Sequence, residues 1–335
     1  MSLDRIRLAS LHDKVISAEE ASAFIEDGMT VGMSGFTRAG EAKAVPLALV
    51  KRAHTNPLKI TLITGASLGN DLDKQLTEAG VLARRLPFQV DNTLRKAINN
   101  GEVMFIDQHL SETVEQMRNL QLKKPDVAII EAVAITEDGG IIPTTSVGNS
   151  ASFAIFAEKV IVEINTNLSP AFEGLHDIYI PTYRPTRQPI PLTQVDERIG
   201  THAINIDPAK IVGIVINNDL HDSPSTVTAP DDETQGIADH LIAFFEKEVA
   251  EERLPKNLGP LQAGIGSIAN AVLTGLKDSN FEDLVMYSEV LQDCTFELID
   301  AGKMKFASGS SITLSAKYGE KVFNNLEAYK DKLVL

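Results

Sequence analysis

Cysteine, tryptophan and long apolar runs are scarce in this chain. Its 335 residues include one cysteine and no tryptophan. The lone thiol, Cys294, excludes an intramolecular disulfide and a zinc site built from cysteines. No stretch approaches the roughly 18 uninterrupted apolar residues of a transmembrane helix, and the first residues lack the apolar segment of a secretory signal. We therefore expect a cytoplasmic protein without membrane attachment and with no membrane as a partner.

Positive charge is also in short supply. The sequence has 31 lysines and arginines against 46 aspartates and glutamates, which gives a formal net charge of −15 at pH 7. Nucleic acids and anionic membranes attract basic surfaces, so a nucleic-acid partner is not expected. A net charge far from zero keeps a protein soluble, and that is the simpler interpretation of the surplus. An anionic ligand would have to be held by local donors.

The sequence does contain β-branched apolar runs that alternate with amphipathic segments, which predicts an α/β fold with a largely parallel sheet. The run 127–133 is apolar almost throughout, which is typical of strands buried between two helix layers. Strands are predicted at 30–33, 60–64, 103–106, 127–133, 159–164 and 211–216. Helices are predicted at 18–25 with Ser17 as N-cap, 44–53, 93–99, 114–119 and 234–252.

Two segments interrupt the alternation. Residues 217–232 are polar, contain prolines and lack periodicity, so we predict domains at 1–222 and 223–335. Residues 165–191 hold five of the fifteen prolines and predict a long ordered excursion. Residues 30–40 and 261–270 each place glycines between a strand-like run and a helix. This weak internal similarity predicts two related α/β domains that face each other.

The two glycine loops are candidate anion sites. Gly35 and Gly40 lead from a predicted strand towards a helix, and glycine lets backbone N–H groups approach an anion near a helix N-terminus. The glycine spacing matches neither the dinucleotide fingerprint nor the Walker loop, so a structural turn is the alternative interpretation. The second loop supplies Gly264, Gly266, Ser267 and Asn270.

Glu289 is the most informative single residue. It interrupts the apolar run 285–291, where a charged side chain is unfavourable unless it has a partner or a function. A carboxylate at the end of such a strand points towards the crevice in which α/β proteins bind ligands. A solvent-facing strand residue is the alternative. The histidines lack metal-ligand spacing, so no metal site is expected, and Cys294 is interpreted as a small core residue.

Seven segments together carry a resemblance to a known family. In this order and spacing the sequence resembles the class I CoA-transferases of the acetyl-CoA hydrolase/transferase group, which includes succinyl-CoA:acetate and propionyl-CoA:succinate CoA-transferases. The resemblance extends over nearly all of the sequence. The segments are 34–46, 105–111, 131–139, 173–179, 196–200, 262–272 and 287–293.

This resemblance implies two related open α/β domains of the type shared with sugar-phosphate isomerases. Glu289 matches the catalytic glutamate, which forms an acyl–glutamyl anhydride and then a glutamyl–CoA thioester with ping-pong kinetics. The N–H of Ile265 matches an oxyanion donor. No permanently bound cofactor is expected, since coenzyme A is a substrate. The residues predicted to bind CoA are Gly264, Gly266, Ser267, Asn270, Gly35, Arg38 and Gly40.

The resemblance also sets further expectations. Family members are longer and have a later glycine-rich loop, so the second domain is expected to be incomplete, with a truncation at the C-terminal end. A homo-oligomer, most simply a homodimer, is expected, with acyl-CoA and small carboxylates as partners in acetate or propionate metabolism. Because these are anions, Arg38, Lys43 and Arg198 are candidates to hold them.

The reaction itself is left open between three alternatives. CoA transfer from acetyl-, propionyl- or succinyl-CoA to a small carboxylate is the first. The second is acyl-CoA hydrolysis by the same glutamate, and the third is a non-catalytic acyl-CoA or sugar-phosphate binder of the same fold. The donor and acceptor cannot be chosen from the sequence.

Overall fold

The computed structural model describes residues 3–226 and 230–335. The chain divides into two compact units. Unit 1 comprises the residues up to Pro189 together with Gly200–Ser223, and unit 2 comprises Ile190–Ile199 together with the residues from Pro224 to Leu335. Within the described ranges, no helix is both long and apolar enough to cross a membrane.

Unit 1 is built around one twisted sheet. Its strands are β1 Thr30–Met33, β2 Ile60–Ile63, β3 Leu82–Leu86, β4 Met104–Phe105, β5 Val127–Ile135, β6 Ile141–Pro143, β7 Lys159–Asn165 and β8 Ile211–Asn217. Its helices are α1 Ala18–Ser22, α2 Ala44–Ala53, α3 Leu72–Glu78, α4 Asn92–Asn99, α5 Leu110–Arg118 and α6 Ser150–Phe156. The sheet order is β4-β3-β2-β1-β5-β7-β8, parallel throughout, with β6 antiparallel to β5.

Burial explains why this sheet forms where the apolar runs lie. All nine residues of β5 are buried, and one core cluster covers each face of the sheet. Strand order reverses between β1 and β5, because β2, β3 and β4 follow on one side and β7 and β8 on the other. Ligands of open α/β sheets bind at the carboxyl ends of strands at such a reversal. The loop after β1, which contains Gly35 and Gly40, therefore begins at this switch point.

Unit 2 contains two smaller parallel sheets. Its strands are β9 Pro260–Leu261, β10 Leu284–Tyr287, β11 Val290–Leu291, β12 Met304–Ser308, β13 Ser311–Ile312 and β14 Leu333–Val334. Its helices are α7 Asp232–Ala250, α8 Ser267–Asp278, α9 Asp293–Asp300 and α10 Ala316–Phe323. One sheet has the order β14-β12-β10-β9, and β11 pairs with β13 in the other. Parallel pairing of β9 with β10 brings the loops that follow them to one edge.

The predicted α/β class is confirmed, and the strand at 30–33 and the helix at 44–53 have the predicted bounds. Ser17 caps α1 through a capping box with Glu20. The helix ends at Ser22 instead of residue 25, because the N–H groups of residues 23–25 donate to carbonyls three residues earlier, not four as in an α-helix. The single run predicted at 285–291 is wrong: it forms two strands in different sheets. The domains 1–222 and 223–335 stay a proposal.

Candidate functional site

Glu289 lies between the two strands β10 and β11, beside the second glycine loop. Its backbone carbonyl accepts a hydrogen bond from Ser310 N–H at 2.9 Å, whereas its side chain is exposed. No hydrogen bond or ion pair engages that carboxylate within residues 3–226 and 230–335. The run around Glu289 is largely buried, with Met286, Ser288 and Val290 inside, but the Glu289 side chain faces solvent, as the alternative interpretation had it. An exposed carboxylate without side-chain partners keeps the lone pairs of both oxygens available to a ligand.

The neighbours of Glu289 fasten the glycine loop to this edge. Ser288 is buried, and its Oγ donates to the carbonyl of Ala263 at 3.0 Å. Gln292 donates from Nε2 to the carbonyl of Gly264 at 3.1 Å. The glycine loop is therefore held from both sides of Glu289, and the residues predicted as one site in unit 2 share one edge of the sheet.

The loop itself presents backbone donors. Gly266 has φ 150°, in the region that side chains rarely adopt, and it precedes the first turn of α8, which begins at Ser267. In the described part of the chain, the N–H groups of Gly264, Ile265 and Gly266 donate no hydrogen bond. The Ile265 side chain is 61% exposed. Free N–H groups at a helix N-terminus stabilise negative charge, so this loop can bind an anion or a developing oxyanion.

Cys294 supports the loop and does not supply a nucleophile. Its thiol is buried and lies 3.7 Å from Oδ1 of Asn270, in the helix that follows the loop. Burial raises the pKa of the Cys294 thiol to about 12, so it stays protonated at neutral pH. The interpretation of Cys294 as a core residue agrees with this burial.

In unit 1, the first glycine loop forms a tight turn. Phe36 and Ala39 exchange two backbone hydrogen bonds, at 2.9 and 3.2 Å, around Thr37 and Arg38. These two central residues have φ values of 53° and 65°. Such a turn is normally made by asparagine and glycine, because other side chains are strained at positive φ. The turn leaves the Arg38 side chain exposed, and the Arg38 N–H donates to the carbonyl of Ser67.

The rest of this loop points inwards. Gly40 is buried, and its N–H donates to Oδ2 of Asp222 at 3.1 Å, so this donor is already engaged. Lys43 is only 1% exposed, and its Nζ lies among protein oxygens. The expectation that Lys43 holds a substrate anion is therefore wrong. The other two basic residues expected to hold an anion, Arg38 and Arg198, are exposed, and Arg198 donates to the carbonyl of Leu333.

Lys43 instead neutralises a buried carboxylate cluster at the switch point. Its Nζ lies 2.5 Å from Oε2 of Glu131 and 2.7 Å from Oδ1 of Asp222. Glu131, which is in β5, also accepts from Thr144 Oγ1 at 2.7 Å and from Asn165 Nδ2 at 3.3 Å. Each partner is needed, because a buried charge without partners is costly.

Two further glutamates complete this carboxylate cluster. Glu163 lies opposite Glu131 on the neighbouring strand and accepts from the N–H groups of residues 43, 44 and 45, at 2.9, 2.9 and 3.1 Å. It thereby satisfies the free donors at the N-terminus of α2. Glu41 is fully buried, and only its Oε1 accepts a hydrogen bond, from Asn70 Nδ2 at 2.9 Å. Its Oε2 is buried and has no hydrogen-bond partner among residues 3–226 and 230–335.

Burial shifts the proton affinities in this cluster. It raises the pKa of Glu41 to about 7 and that of Glu131 to about 8, against the opposing effect of Lys43. Burial lowers the pKa of Lys43, but the carboxylates of Asp222, Glu131 and Glu41 outweigh it and raise that pKa well above its ordinary value. Three carboxyl groups beside one ammonium cannot all be ionised without a large desolvation penalty. Glu131 and Glu41 are therefore the groups best suited to hold a proton at neutral pH, and Glu41, whose carboxyl accepts the fewest hydrogen bonds, loses least when its charge is removed.

Replacing Glu41 with glutamine should therefore stabilise the protein at alkaline pH. The raised pKa means that folded Glu41 binds its proton more tightly than the unfolded state does, so wild-type stability falls as pH rises from about 4.5 to about 7. Glu41→Gln removes this loss. Urea denaturation should show stabilities within about 1 kcal/mol of each other at pH 5 and the variant about 2 kcal/mol more stable at pH 8.5. Exposed Glu78→Gln is the control, and a pH-independent difference would contradict the assignment.

Sequence reasoning missed Glu41, Glu131, Glu163 and Asp222. A signal for two of them was present, because Glu131 and Glu163 interrupt apolar strands as Glu289 does. The others lie in loops without periodicity, and no pattern distinguishes them from solvated carboxylates.

Comparison with known proteins places the chain in a family. Residues 2–216 match the acetyl-CoA hydrolase/transferase N-terminal domain. The chain is 44% identical over 333 residues to the succinyl-CoA:acetate CoA-transferase of Clostridium kluyveri, an alignment that covers 99% of this chain and 62% of that protein. It is 42% identical over 342 residues to the acetyl-CoA hydrolase of Schizosaccharomyces pombe, with 99% and 65% covered. The chain thus spans less than two thirds of the length of these relatives.

A solved structure shows the same fold at much lower identity. The 4-hydroxybutyrate CoA-transferase of Porphyromonas gingivalis aligns with a TM-score of 0.61 and 18% identity, over 95% of this chain and 67% of that one. The fold type predicted from the sequence is confirmed by this likeness. Together with the family match over residues 2–216 and the relatives that align along 99% of the sequence, it shows that the chain belongs to the acetyl-CoA hydrolase/transferase family.

Proposed function

We propose that this protein transfers CoA from an acyl-CoA to a small carboxylate through a covalent intermediate on Glu289. The observation that carries the proposal is the pairing of an exposed, unpaired carboxylate with the free N–H groups of Gly264–Gly266 on one sheet edge. One supplies a nucleophile, and the other supplies donors for the tetrahedral oxyanion of acyl transfer.

The proposed reaction has two symmetrical halves. The Glu289 carboxylate attacks the thioester carbonyl and the C–S bond breaks. CoA is released as a thiolate, and an acyl–glutamyl anhydride remains on the protein. The thiolate then attacks the glutamyl carbonyl, which releases the donor's carboxylate and leaves a glutamyl–CoA thioester. An acceptor carboxylate attacks this thioester and reverses both steps, so Glu289 is regenerated without net proton transfer. The Ile265 N–H is the proposed oxyanion donor.

Substrate binding is proposed to use local positive potential, since the protein has a net charge of −15. In unit 2, the N-terminus of α8 with Gly264, Gly266, Ser267 and Asn270 would hold part of the CoA. In unit 1, the turn after Gly35 presents the exposed Arg38 to a substrate anion. Gly40, which is buried, would contribute indirectly, because its N–H anchors the end of the turn to Asp222. A cytoplasmic location and a homo-oligomer stay predictions.

Hydrolysis is the second candidate, and the exposure of Glu289 favours it, because water can then reach the glutamyl thioester. Relatives carry both names, succinyl-CoA:acetate CoA-transferase and acetyl-CoA hydrolase. The two outcomes differ only in what attacks the last thioester, a carboxylate or water. An acceptor panel separates them.

The 335-residue protein should form new acyl-CoA when given succinyl-CoA together with acetate, propionate or butyrate. Product analysis by liquid chromatography should show new acyl-CoA in proportion to the succinyl-CoA consumed, with parallel lines in double-reciprocal plots, as ping-pong kinetics require. Free CoA released at a rate that no acceptor changes would indicate hydrolysis. Binding of succinyl-CoA without turnover would contradict both and support the non-catalytic alternative.

A further inference from the structure

The last residues of unit 1 are bound tightly to its loops. We call residues 220–223, which precede Pro224, the exit segment. The carboxylate of Asp222 accepts from Gly40 N–H at 3.1 Å and from Thr145 Oγ1 at 2.6 Å, and lies 2.7 Å from Lys43 Nζ. These partners follow β1 and β6 in the sequence. One carboxylate therefore connects the exit segment with two loops at the switch point.

A second set of contacts fastens the exit segment to the loop after β2. The Asn70 N–H donates to Ser223 Oγ, and Ser223 Oγ donates to Asn70 Oδ1, both at 3.0 Å. Asn70 Nδ2 also donates to the carbonyl of His221 at 3.0 Å and to Glu41 Oε1 at 2.9 Å. The same asparagine thus joins the exit segment to the carboxylate cluster.

Backbone strain is concentrated in two of the three loops that the exit segment contacts, those after β1 and β2. Thr37 and Arg38 have φ 53° and 65°, and Asn70 and Asp71 both have φ 53°. Positive φ is especially unfavourable for a β-branched residue such as Thr37. Strained conformations persist only where the surroundings impose them. The contacts of Asp222 and Asn70 contribute to imposing them here, together with the Ser146 hydroxyl, which donates to the Ala39 carbonyl at 2.8 Å.

We propose that Asp222 and Lys43 form a latch that holds the turn at residues 36–39 in its strained form and so presents Arg38 to an anionic group of the substrate. The ammonium of Lys43 is engaged by the buried carboxylate of Glu131 and the half-buried one of Asp222, whereas the Arg38 side chain is exposed and forms no ion pair among the described residues. Asp222 and Lys43 are thus positioning residues, and Arg38 contacts substrate. The identity of the substrate that Arg38 contacts rests on the proposed CoA transfer.

The ligand chemistry of Arg38 is an anionic oxygen group. A guanidinium binds carboxylate and phosphate alike, through paired N–H donors. The carboxylate of the acceptor and a phosphate of CoA are the two sources in the proposed reaction. They are distinguished by which substrate's KM responds to Arg38.

Hydrogen exchange on the intact 335-residue protein tests the latch without any need for activity. Asp222→Ala removes the acceptor for the Gly40 N–H, so exchange in peptides from 34–43 should accelerate at least about 10-fold. Peptides from β5 and β7 should be unchanged. Asp219→Ala, three residues earlier on an exposed position, is the matched control and should resemble wild type. Unchanged exchange in 34–43 would overturn the latch.

Asp222→Asn serves as a gentler variant should the alanine variant fail to fold. It keeps one oxygen acceptor but faces the Lys43 ammonium with a neutral amide, so exchange in 34–43 should accelerate about threefold or more. Exchange that rises equally in every peptide of unit 1 would indicate general destabilisation and would overturn the proposal.

Steady-state kinetics with succinyl-CoA and acetate test the presentation of Arg38. Asp222→Asn and Arg38→Met should each raise one KM about 5- to 20-fold with kcat within about threefold, because positioning is lost and the chemical groups remain. A rise in the KM for acetate identifies the carboxylate, and a rise for succinyl-CoA identifies the phosphate. Both KM values unchanged would overturn the role of Arg38. Faster exchange without any turnover would support the latch while contradicting the proposed function.

Discussion

Replacing Glu289 with glutamine should lower acyl-CoA turnover by at least about 1,000-fold. The amide has nearly the size and shape of the carboxylate but is a poor nucleophile, so neither the anhydride nor the glutamyl thioester can form. Because Glu289 is exposed and, among the residues that the structure describes, is engaged only through its backbone, the substitution should leave the folded structure and the melting temperature unchanged. The loss should lie in kcat and in kcat/KM together, since the missing group acts in the chemical step.

The intermediate gives a second readout of the same prediction. Wild-type protein mixed with acyl-CoA and reduced with borohydride should be modified on the peptide that contains Glu289, whereas the Glu289→Gln protein should not. Glu282→Gln, a change at another exposed glutamate of unit 2, is the matched control and should keep full turnover and labelling. Full activity of the Glu289→Gln protein would contradict the proposal that Glu289 is the nucleophile.

A shortened side chain tests how closely the site is built. Glu289→Asp keeps the carboxylate but withdraws it by one methylene from the donors of the glycine loop. Misplacement by about 1 Å costs on the order of 100-fold in rate, so this variant should fall between wild type and the glutamine variant. Its covalent labelling should be slow but present, which would separate a nucleophile from a group that only contributes charge.

The fold was predictable where a continuous apolar run in the sequence indicates a buried strand. β5 has all nine residues buried, and its run could be identified because hydrophobicity alone describes a strand covered on both faces. The short strands β11 and β13 have two residues each, too few for any period to show. Their pairing in a separate sheet depends on contacts between distant residues, which explains why 285–291 was wrongly predicted as one strand.

The candidate site was predictable only where its residues are neighbours in sequence. The loop before α8 and Glu289 belong to one continuous stretch, in which β9, the loop, α8 and β10 follow one another and Glu289 comes directly after β10 and Ser288, and the resemblance supplied the role expected of Ile265. The cluster around Lys43 is different in kind. Glu131 is 88 residues from Lys43 in sequence, and no spacing rule relates them. An interrupted strand shows that Glu131 needs a partner, but only the folded sheet shows which one it has.

Replacing Lys43 with methionine should destabilise unit 1 by about 3–5 kcal/mol. The substitution preserves most of the buried volume but removes the ammonium from Glu131 and Asp222, and a buried ion pair broken on one side costs this much. Urea denaturation at pH 7, followed by hydrogen exchange in peptides of β5 and β7, measures the loss. The loss should shrink towards pH 5, since protonating the buried Glu131 carboxyl costs less free energy as the pH approaches the ordinary pKa of 4.5 that it has in the unfolded chain.

Two comparisons decide whether charge is the cause of that loss. Lys51→Met changes a lysine of α2, the helix that begins directly after Lys43; Lys51 is 76% exposed and pairs with Glu19 at 3.4 Å, so the stability should stay close to that of wild type. The double variant Lys43→Met with Glu131→Gln removes both charges of the shortest pair and should recover about half of the loss, because a neutral amide no longer needs the ammonium. If the single and double variants were equally unstable, the cost would come from packing, and the cluster would not depend on Lys43 for its charge.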